Sequence, residues 1–600
     1  MAMNAEDWST LTRALVDVAM GRRPAQLVIR QGAWVCVQSG EIIPGTDIAI
    51  HGERIAYVGP DAGHTVGPET KVIQAEGMYL VPGLLDGHMH IESGMVTVTE
   101  FVRAVLPRGT TGMFVDPHEI ANVFGLKGVR MMVDEAQRQP IHVWVQVPSC
   151  VPSAPGLETP GAEFGPAEVA QALSWPGVVG LGEMMNFRGV FLGDEKMHRE
   201  MAEARAARKV IGGHYASLDL GLPFHGYVAG GPEDDHEGTR LEDAVARVRQ
   251  GMKAMLRYGS AWHDVAAQVR AVTELGLDAR HFMLVTDDSH CETLVHEGHM
   301  DRVVRYAIGQ GVPPLQAIQM ATLNTAEHFG VSREVGQIAP GRYADILLVR
   351  DLASLAPELV IAKGKLAADR GRLLLDLPSF EYPEEVKASV KLARPLTAQD
   401  FSFKTDGRGQ VELNVIGIVE NQAPTRHLKR IIRSADGVVP VNVAEDLAKV
   451  ALVERHRGTG DVQVGFVHGF GFNVPCAVGS TVAHDSHHML LVGTSEADMA
   501  VAANELARVG GGQVVVQEGR VLALVELPIA GLMSDERAEA VAEKARRFLD
   551  SLRAVGCSMN NANMQLSLLA LVVIPELRIS DKGLVDVQRF EVIPVVAGSG

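Results

Sequence analysis

Apolar residues along this chain follow two rhythms. Some form short runs of roughly four to eight, bounded by Gly, Pro or Asp; others recur at three- and four-residue spacing over longer stretches. The first rhythm predicts strands and the second amphipathic helices. Trp8, Leu11, Leu15 and Val18 share one helical face and predict a leading helix within residues 1–26. Four β-rich runs follow, Leu27–Arg30, Ala33–Val37, Asp47–Ile50 and Arg54–Val58, broken by Gly, Pro or Ser-Gly. Runs of the same character return downstream at Ala344–Val349 and Leu359–Lys365. Strands this short do not bury a core alone, so residues 27–79 and 331–395 are expected to build one split β-sandwich.

Between those segments, residues 80–330 alternate strand and helix. Strand candidates occupy 80–87, 112–116, 141–147, 178–182, 209–213, the neighbourhood of 228–235, 252–258 and 281–286. Helical periodicity fills most gaps, as in Glu195–Lys209, Leu241–Gln250, Val265–Leu275 and Leu315–Phe329. Eight strands with interleaved helices over roughly 250 residues predict an α/β fold of the (β/α)8 TIM-barrel type, whose chemistry gathers at the carboxyl ends of its strands. The sixth strand is the weakest, being short and Gly-rich. After a Pro- and charge-rich connection at 378–396 the texture changes again. Val411–Val419, Val462–Val467 and Gln513–Val516 read as strands, Ala497–Val509 and Asp535–Val555 as helices. A separate carboxyl-terminal α/β domain is expected over 396–600.

Composition narrows the partners. Acidic residues outnumber basic ones, 73 to 55, for a formal charge of −18, so no cationic excess exists to displace counterions from a nucleic acid. A small molecule is the better substrate. The five cysteines are scattered, with no Cys-x-x-Cys, which argues against a disulfide frame and for a reducing compartment. The amino terminus lacks the pattern of a signal peptide, and no apolar run reaches the ~20 residues of a membrane span. A soluble cytoplasmic protein without membrane or nucleic-acid partners is expected. Symmetry is the rule among oligomers, and a homodimer is the expected assembly.

The candidate chemistry sits where the apolar runs stop. Leu80–Gly87 ends on His88 and His90. Residues two apart on a strand point the same way, so this pair forms a two-tooth imidazole clamp. The second strand ends on Asp116, followed by Pro117-His118-Glu119; the fourth gives Glu183, the fifth His214, the sixth His236 and the eighth Asp287. A single histidine is more often structural than a ligand, and His64, His142, His198, His225, His281 and His328 are read as structural. His88, His90, Glu183, His214, His236 and Asp287 at successive strand ends instead make a site for divalent metal ions. A bridging carboxylate lets two ions share one water. Asp288 and His290 compete with Asp287, but Asp287 finishes the apolar strand and is preferred.

The run Val81-Pro82-Gly83-Leu84-Leu85-Asp86-Gly87-His88-Met89-His90 resembles the first-strand motif of the amidohydrolase superfamily, and Val285-Thr286-Asp287 and Ala321–Ala326 agree with it. Asp116–Val123, Gly182-Glu183-Met184-Met185 and Ala483–His488 resemble, more narrowly, the bacterial adenine deaminase branch. Many binuclear members of the superfamily bridge their metals with a carbamylated lysine. Here that position holds Glu183, and no lysine occurs between Lys127 and Lys196, a departure that disfavours dihydroorotase- or hydantoinase-like readings.

The resemblance implies hydrolytic deamination of adenine to hypoxanthine and ammonia, in purine salvage or catabolism, by a metal-bridged hydroxide attacking C6. His88, His90 and Asp287 would hold one ion, His214 and His236 the other, with Glu183 between them. Mn²⁺ or Fe²⁺ is favoured, Zn²⁺ being compatible with the same ligands. Asp287 would act as general base and then acid. Glu119 would protonate ring N1, its competing reading being a helix-start carboxylate. Asp116 orients Glu119 or binds a metal. The alternative is another binuclear cyclic amidohydrolase or aminohydrolase acting on a related heterocycle. The residues gripping the purine are not legible. In the carboxyl-terminal domain His484, Asp485, His487 and His488 are read as a lid or interface over the barrel mouth in preference to a further metal site. Gly465–Phe472 lacks the dinucleotide fingerprint and reads as a turn.

Overall fold

Strands Val210–Gly213, Val178–Met184, His142–Val147, Thr110–Val115, Leu84–His90 and Asp287–Asp288 lie side by side in that order, and all run parallel. A second parallel sheet holds Asp234–Asp235, Lys253–Arg257 and Phe282–Val285. The computed structural model describes residues 5–405, 409–420, 422–434 and 437–598. The two sheets are arcs of one barrel, because its eighth strand is divided at Thr286. Phe282–Val285 pairs with the seventh strand, whereas Asp287 and Asp288 pair with Met89 and His90 of the first. Asp86 fastens this seam: its carboxylate accepts the Thr286 N–H at 3.2 Å and lies 3.1 Å from His299 Nε2.

The opposite seam, between fifth and sixth strands, is thinner. Glu233 N–H donates to the Ile211 carbonyl at 2.8 Å, and Gly213 N–H donates to the Asp234 side chain at 2.9 Å. A Cβ on Gly213 would stand 1.9 Å from the Asp234 carbonyl oxygen, so only glycine lets the strands meet here. All eight expected strands are present, the sixth reduced to Asp234–Asp235.

The β-rich segments on either side of the barrel contribute to one nine-stranded sheet. Tyr79–Pro82 is the joint: it pairs antiparallel with Ile346–Val349 and parallel with Leu27–Cys36, then passes through Gly83 into the first barrel strand. Ile29, Ile48, Ile50, Leu80, Ile346, Leu348 and Ile361 fill one face of this sheet without solvent exposure. Leu15 and Val18 of the leading helix Ala5–Ala19 cover Val28, Ala49 and Ala56 on the other.

The carboxyl-terminal part is built on an eight-stranded sheet. Side chains alternate along its strand Leu447–Val453. Ala451 and Val453 meet Met499, Ala502 and Leu506 of helix Glu496–Val509, while Ala448, Val450 and Leu452 join the same apolar core as the barrel helices. This domain is therefore packed onto the barrel through continuous core. Among the described residues no helix is long and apolar enough to cross a membrane.

Candidate metal centre

Glu183 ends the fourth strand at the centre of a ring of imidazoles. One carboxylate oxygen lies 3.5 Å from His90 Nε2 and 3.2 Å from His118 Nδ1; the other lies 3.1 Å from His236 Nε2 and is bonded to His214 Nδ1. Asp287 closes the ring, 3.3 Å from His90 Nε2 and 3.7 Å from His88 Nε2. The His88 and His236 rings stack with centroids 3.9 Å apart. All six residues expected to ligate are thus brought together, each at most 5 % exposed. Their ligand atoms form overlapping triads, His88–His236–Asp287, His88–His90–Glu183 and Glu183–His214–His236, within 4.8 Å.

Local backbone explains the aim of these side chains. His88 and His90 project from one face of the first strand, and His90 Nδ1–H donates to the Asp116 carbonyl at 2.9 Å, which turns Nε2 toward Asp287 and Glu183. Asp287 takes a left-handed conformation, φ 62°. Asp tolerates that region better than most residues, and the turn swings its carboxylate from the strand line toward His90. Arg257, from the end of the seventh strand, holds the other Asp287 oxygen at 2.9 Å and also bonds Glu237, the neighbour of His236.

The electrostatics match a site built for cations. Burial pushes the His88 imidazole well below its ordinary value, and neighbouring His236 adds to this, so His88 is a neutral donor. Burial would lower His214 too, but Glu237 and Glu183 outweigh it and raise it to about 9. Burial opposes ionisation of Glu183, yet His214, then His118 and His236, hold it well below the usual carboxylate range. Asp287 is likewise held low against burial, by the His90 hydrogen bond and Arg257. A pocket that keeps protons on buried imidazoles offers the same field to a divalent ion. Among the described residues His88 Nε2 and His214 Nε2 are buried without a hydrogen-bond partner, as expected of nitrogens reserved for a ligand. The donor set fits a pair of divalent ions.

The two other expected residues occupy different positions. Glu119 lines the cavity and is 1 % exposed; His118 Nε2 and His90 Nδ1 stand 3.8 and 3.9 Å from its oxygens, and neither oxygen has a hydrogen-bond partner among the described residues. Burial drives its carboxyl well above the usual range; His118 opposes this and Glu92 adds to it. Asp116 is fully buried outside the cavity lining, and its Oδ2 accepts the Glu183 N–H at 3.0 Å. A Cβ on Gly182 would come within 2.0 Å of that oxygen, which accounts for glycine there. Of the histidines read as structural, His64, His142, His198 and His328 bond to Ala19, Asp345, Val190 and Asp234, and His225 and His281 are exposed.

Sequence reasoning missed three participants. His118, which follows the second strand's Asp116-Pro117, stands 3.2 Å from Glu183. Glu237 adjoins His236, and Arg257 ends an apolar strand by the same rule that identified Asp287. The carboxyl-terminal cluster divides: His484 and Asp485 line the cavity, His487 Nδ1 accepts the Ala483 N–H, and His488 Nε2 bonds the Thr159 carbonyl of the barrel at 2.8 Å. The cavity holds about 370 Å³ and joins this polar floor to an apolar wall of Trp262, Leu568, Leu571 and Ile574.

Comparison with known proteins follows the same lines. A family model described as the amidohydrolase family matches residues 79–367, and one described as the adenine deaminase C-terminal domain matches 422–591. The chain is 62 % identical over 591 residues to adenine deaminase 3 of Rhizobium meliloti (strain 1021), covering 98 % of this chain and 99 % of that protein. Identity is also 62 % over 591 residues with an adenine deaminase of Mesorhizobium japonicum, covering 98 % of each. With an adenine deaminase of Moorella thermoacetica it is 52 % over 589 residues, again 98 % of each.

Proposed function

The chain belongs to the adenine deaminases, and on that footing we propose that it hydrolyses adenine to hypoxanthine and ammonia at two divalent cations in the barrel mouth. The observation that carries this is Glu183, one buried carboxylate within 3.5 Å of His90, His118 and His236 and bonded to His214. His88, His90 and Asp287 would hold one cation, His214 and His236 the other, with Glu183 shared. The mixed nitrogen and oxygen set suits Mn²⁺ or Fe²⁺, and Zn²⁺ also fits it. When bound, such ions supply a water acidified to near neutrality and so ready to attack a ring carbon.

The remaining work falls to the chain's own groups. Asp287, ionised and fixed by Arg257, accepts the proton of the attacking water and passes it to the departing amino nitrogen. Glu119 keeps its proton at neutral pH because it is buried, and delivers it to ring N1, where negative charge develops. Asp116 positions Glu183 and His90 through its side chain and its carbonyl. Trp262, Leu571 and Ile574 line the cavity against the flat apolar faces of a purine and exclude water. Five free, buried cysteines support a reducing cytoplasmic setting, and a homodimer is the proposed assembly, to be checked by light scattering.

The test is anaerobic loading of metal-free protein with Mn²⁺ or Fe²⁺, followed by ammonia release and the ultraviolet change from adenine to hypoxanthine. Activity should appear only with metal. Glu183→Gln should bind fewer ions per chain than the wild type and lose measurable turnover. An active metal-free protein, or a metal-replete and active Glu183→Gln, would overturn the reading.

A further inference from the structure

Beside the proposed pair lies a second group of ligand atoms that the reaction does not use. A ring nitrogen of His118, the sulfur of Cys150 and a carboxylate oxygen of Asp485 lie within 4.8 Å of one another, all buried. We propose that these three residues form a further metal site, distinct from the deaminase pair, which ties the carboxyl-terminal domain to the barrel and takes a borderline divalent ion such as Zn²⁺, Co²⁺ or Fe²⁺.

Each ligand arrives from a different element. His118 opens the helix after the second barrel strand, Cys150 follows the third, and Asp485 comes from the carboxyl-terminal turn Ala483–His488. Asn122 locks the first two together, its amide donating to the His118 carbonyl at 2.9 Å and the Cys150 carbonyl at 3.1 Å. His118 stands between the two sites, Nδ1 being 3.2 Å from Glu183 and Nε2 3.7 Å from Asp485. Asp485 supplies the independent sign of a missing ligand. It is 1 % exposed; His118 and His484 stand 3.7 Å from Oδ1, and neither carboxylate oxygen has a hydrogen-bond partner among the described residues. A buried carboxylate left so is costly, and a cation offsets that cost.

The donor set specifies the ion. Thiolate, imidazole and carboxylate together suit borderline transition ions and disfavour Mg²⁺ and Ca²⁺, which prefer oxygen alone. On binding, the Cys150 thiol gives its proton to solvent and its sulfur bonds the metal. His118 and Asp485 line the substrate cavity whereas Cys150 lies outside its lining. The proposed site therefore borders the cavity.

The pair is bound by nitrogen and oxygen alone, so sulfur ligation separates the two sites. The full chain is loaded with Co²⁺, freed of excess metal, and examined for cobalt per chain and for a near-ultraviolet thiolate-to-cobalt charge-transfer band. About three cobalt ions and a clear band are expected. Cys150→Ser should remove the band and one ion. Asp485→Asn, which keeps every thiol, should also lose one ion, and it decides the matter if Cys150→Ser does not fold. Two ions or fewer without a band, a third ion without a band, or a band that survives Cys150→Ser would each overturn the site. A wild-type-like Asp485→Asn would do the same.

Discussion

Glu119 and Asp116 stand close together in sequence but do opposite things. Glu119 faces the cavity with two unbonded oxygens among the described residues, so Glu119→Gln removes a proton donor and little else. Its kcat is expected to fall by ~10²–10⁴ with metal content intact. Asp116 lies outside the cavity lining; it holds the Glu183 N–H and, through its carbonyl, His90. Asp116→Ala is therefore expected to weaken metal binding by ~10–100-fold, read by chelator competition, and to recover activity when metal is raised. A Glu119→Gln that loses metal, or an Asp116→Ala whose loss ignores metal concentration, would exchange the roles. Of the six expected ligands, His88, His90, Glu183, His214 and Asp287 are legible because they follow apolar runs, whose carboxyl ends meet at the barrel mouth; His236 follows Asp234-Asp235 and is placed only by strand count. Arg257 obeys that rule too, but a guanidinium has no lone pair for a metal and acts through Asp287. His118 lies on a helix's first turn, outside the rule. Asp485 reaches the site only through domain packing, which no local spacing encodes.

Elements were legible in proportion to their burial. Parallel barrel strands covered on both faces read as apolar runs, and the sixth, reduced to Asp234–Asp235, is the exception. In the carboxyl-terminal sheet, Arg426–Arg433 is largely exposed and carries five basic residues in RHLKRIIR, so no apolar run announces it. Leu447–Val453 is buried throughout and is ambiguous between strand and helix on its pattern alone. The loop after the third barrel strand joins the barrel to this domain and carries a titrating group. Glu158 Oε1 accepts Ser153 Oγ–H at 2.8 Å and Ala154 N–H at 2.9 Å, and the next residue, Thr159, bonds both His488 and Asp581. Burial, with Asp485 adding, raises the Glu158 carboxyl from an ordinary 4.5 to about 8. Because the folded value lies above the unfolded one, the neutral acid stabilises fully below the unfolded value, and that stability drains away as pH rises through the folded value. Glu158→Gln keeps the accepting oxygen and cannot ionise. Its melting temperature should gain on wild type by ~1–3 °C between about pH 5 and pH 8.5. A difference that stays flat across that range would show that Glu158 is ionised in the folded protein.

At the scale of the whole molecule, the carboxyl-terminal domain builds the substrate chamber together with the barrel. The barrel supplies its polar floor and Trp262; Leu568, Leu571 and Ile574 come from the far end of the chain. A chamber of about 370 Å³ falls in the range that takes a small flat ligand. A formal charge of −18 offers a neutral purine no electrostatic steering, so apolar contact must supply much of the binding. Contact with a ring face distant from C6 is the same before and during reaction, and such uniform binding appears in KM and not in kcat. Leu571 is buried and lines the chamber. Truncation to alanine removes apolar surface worth ~1–2 kcal/mol against a ligand, so Leu571→Ala should raise KM for adenine about tenfold with kcat and metal content near wild type. Were kcat to fall instead with KM unchanged, the wall would be acting on the transition state, as a closing lid that finishes the catalytic arrangement. An unchanged KM and kcat would place adenine away from the carboxyl-terminal wall altogether.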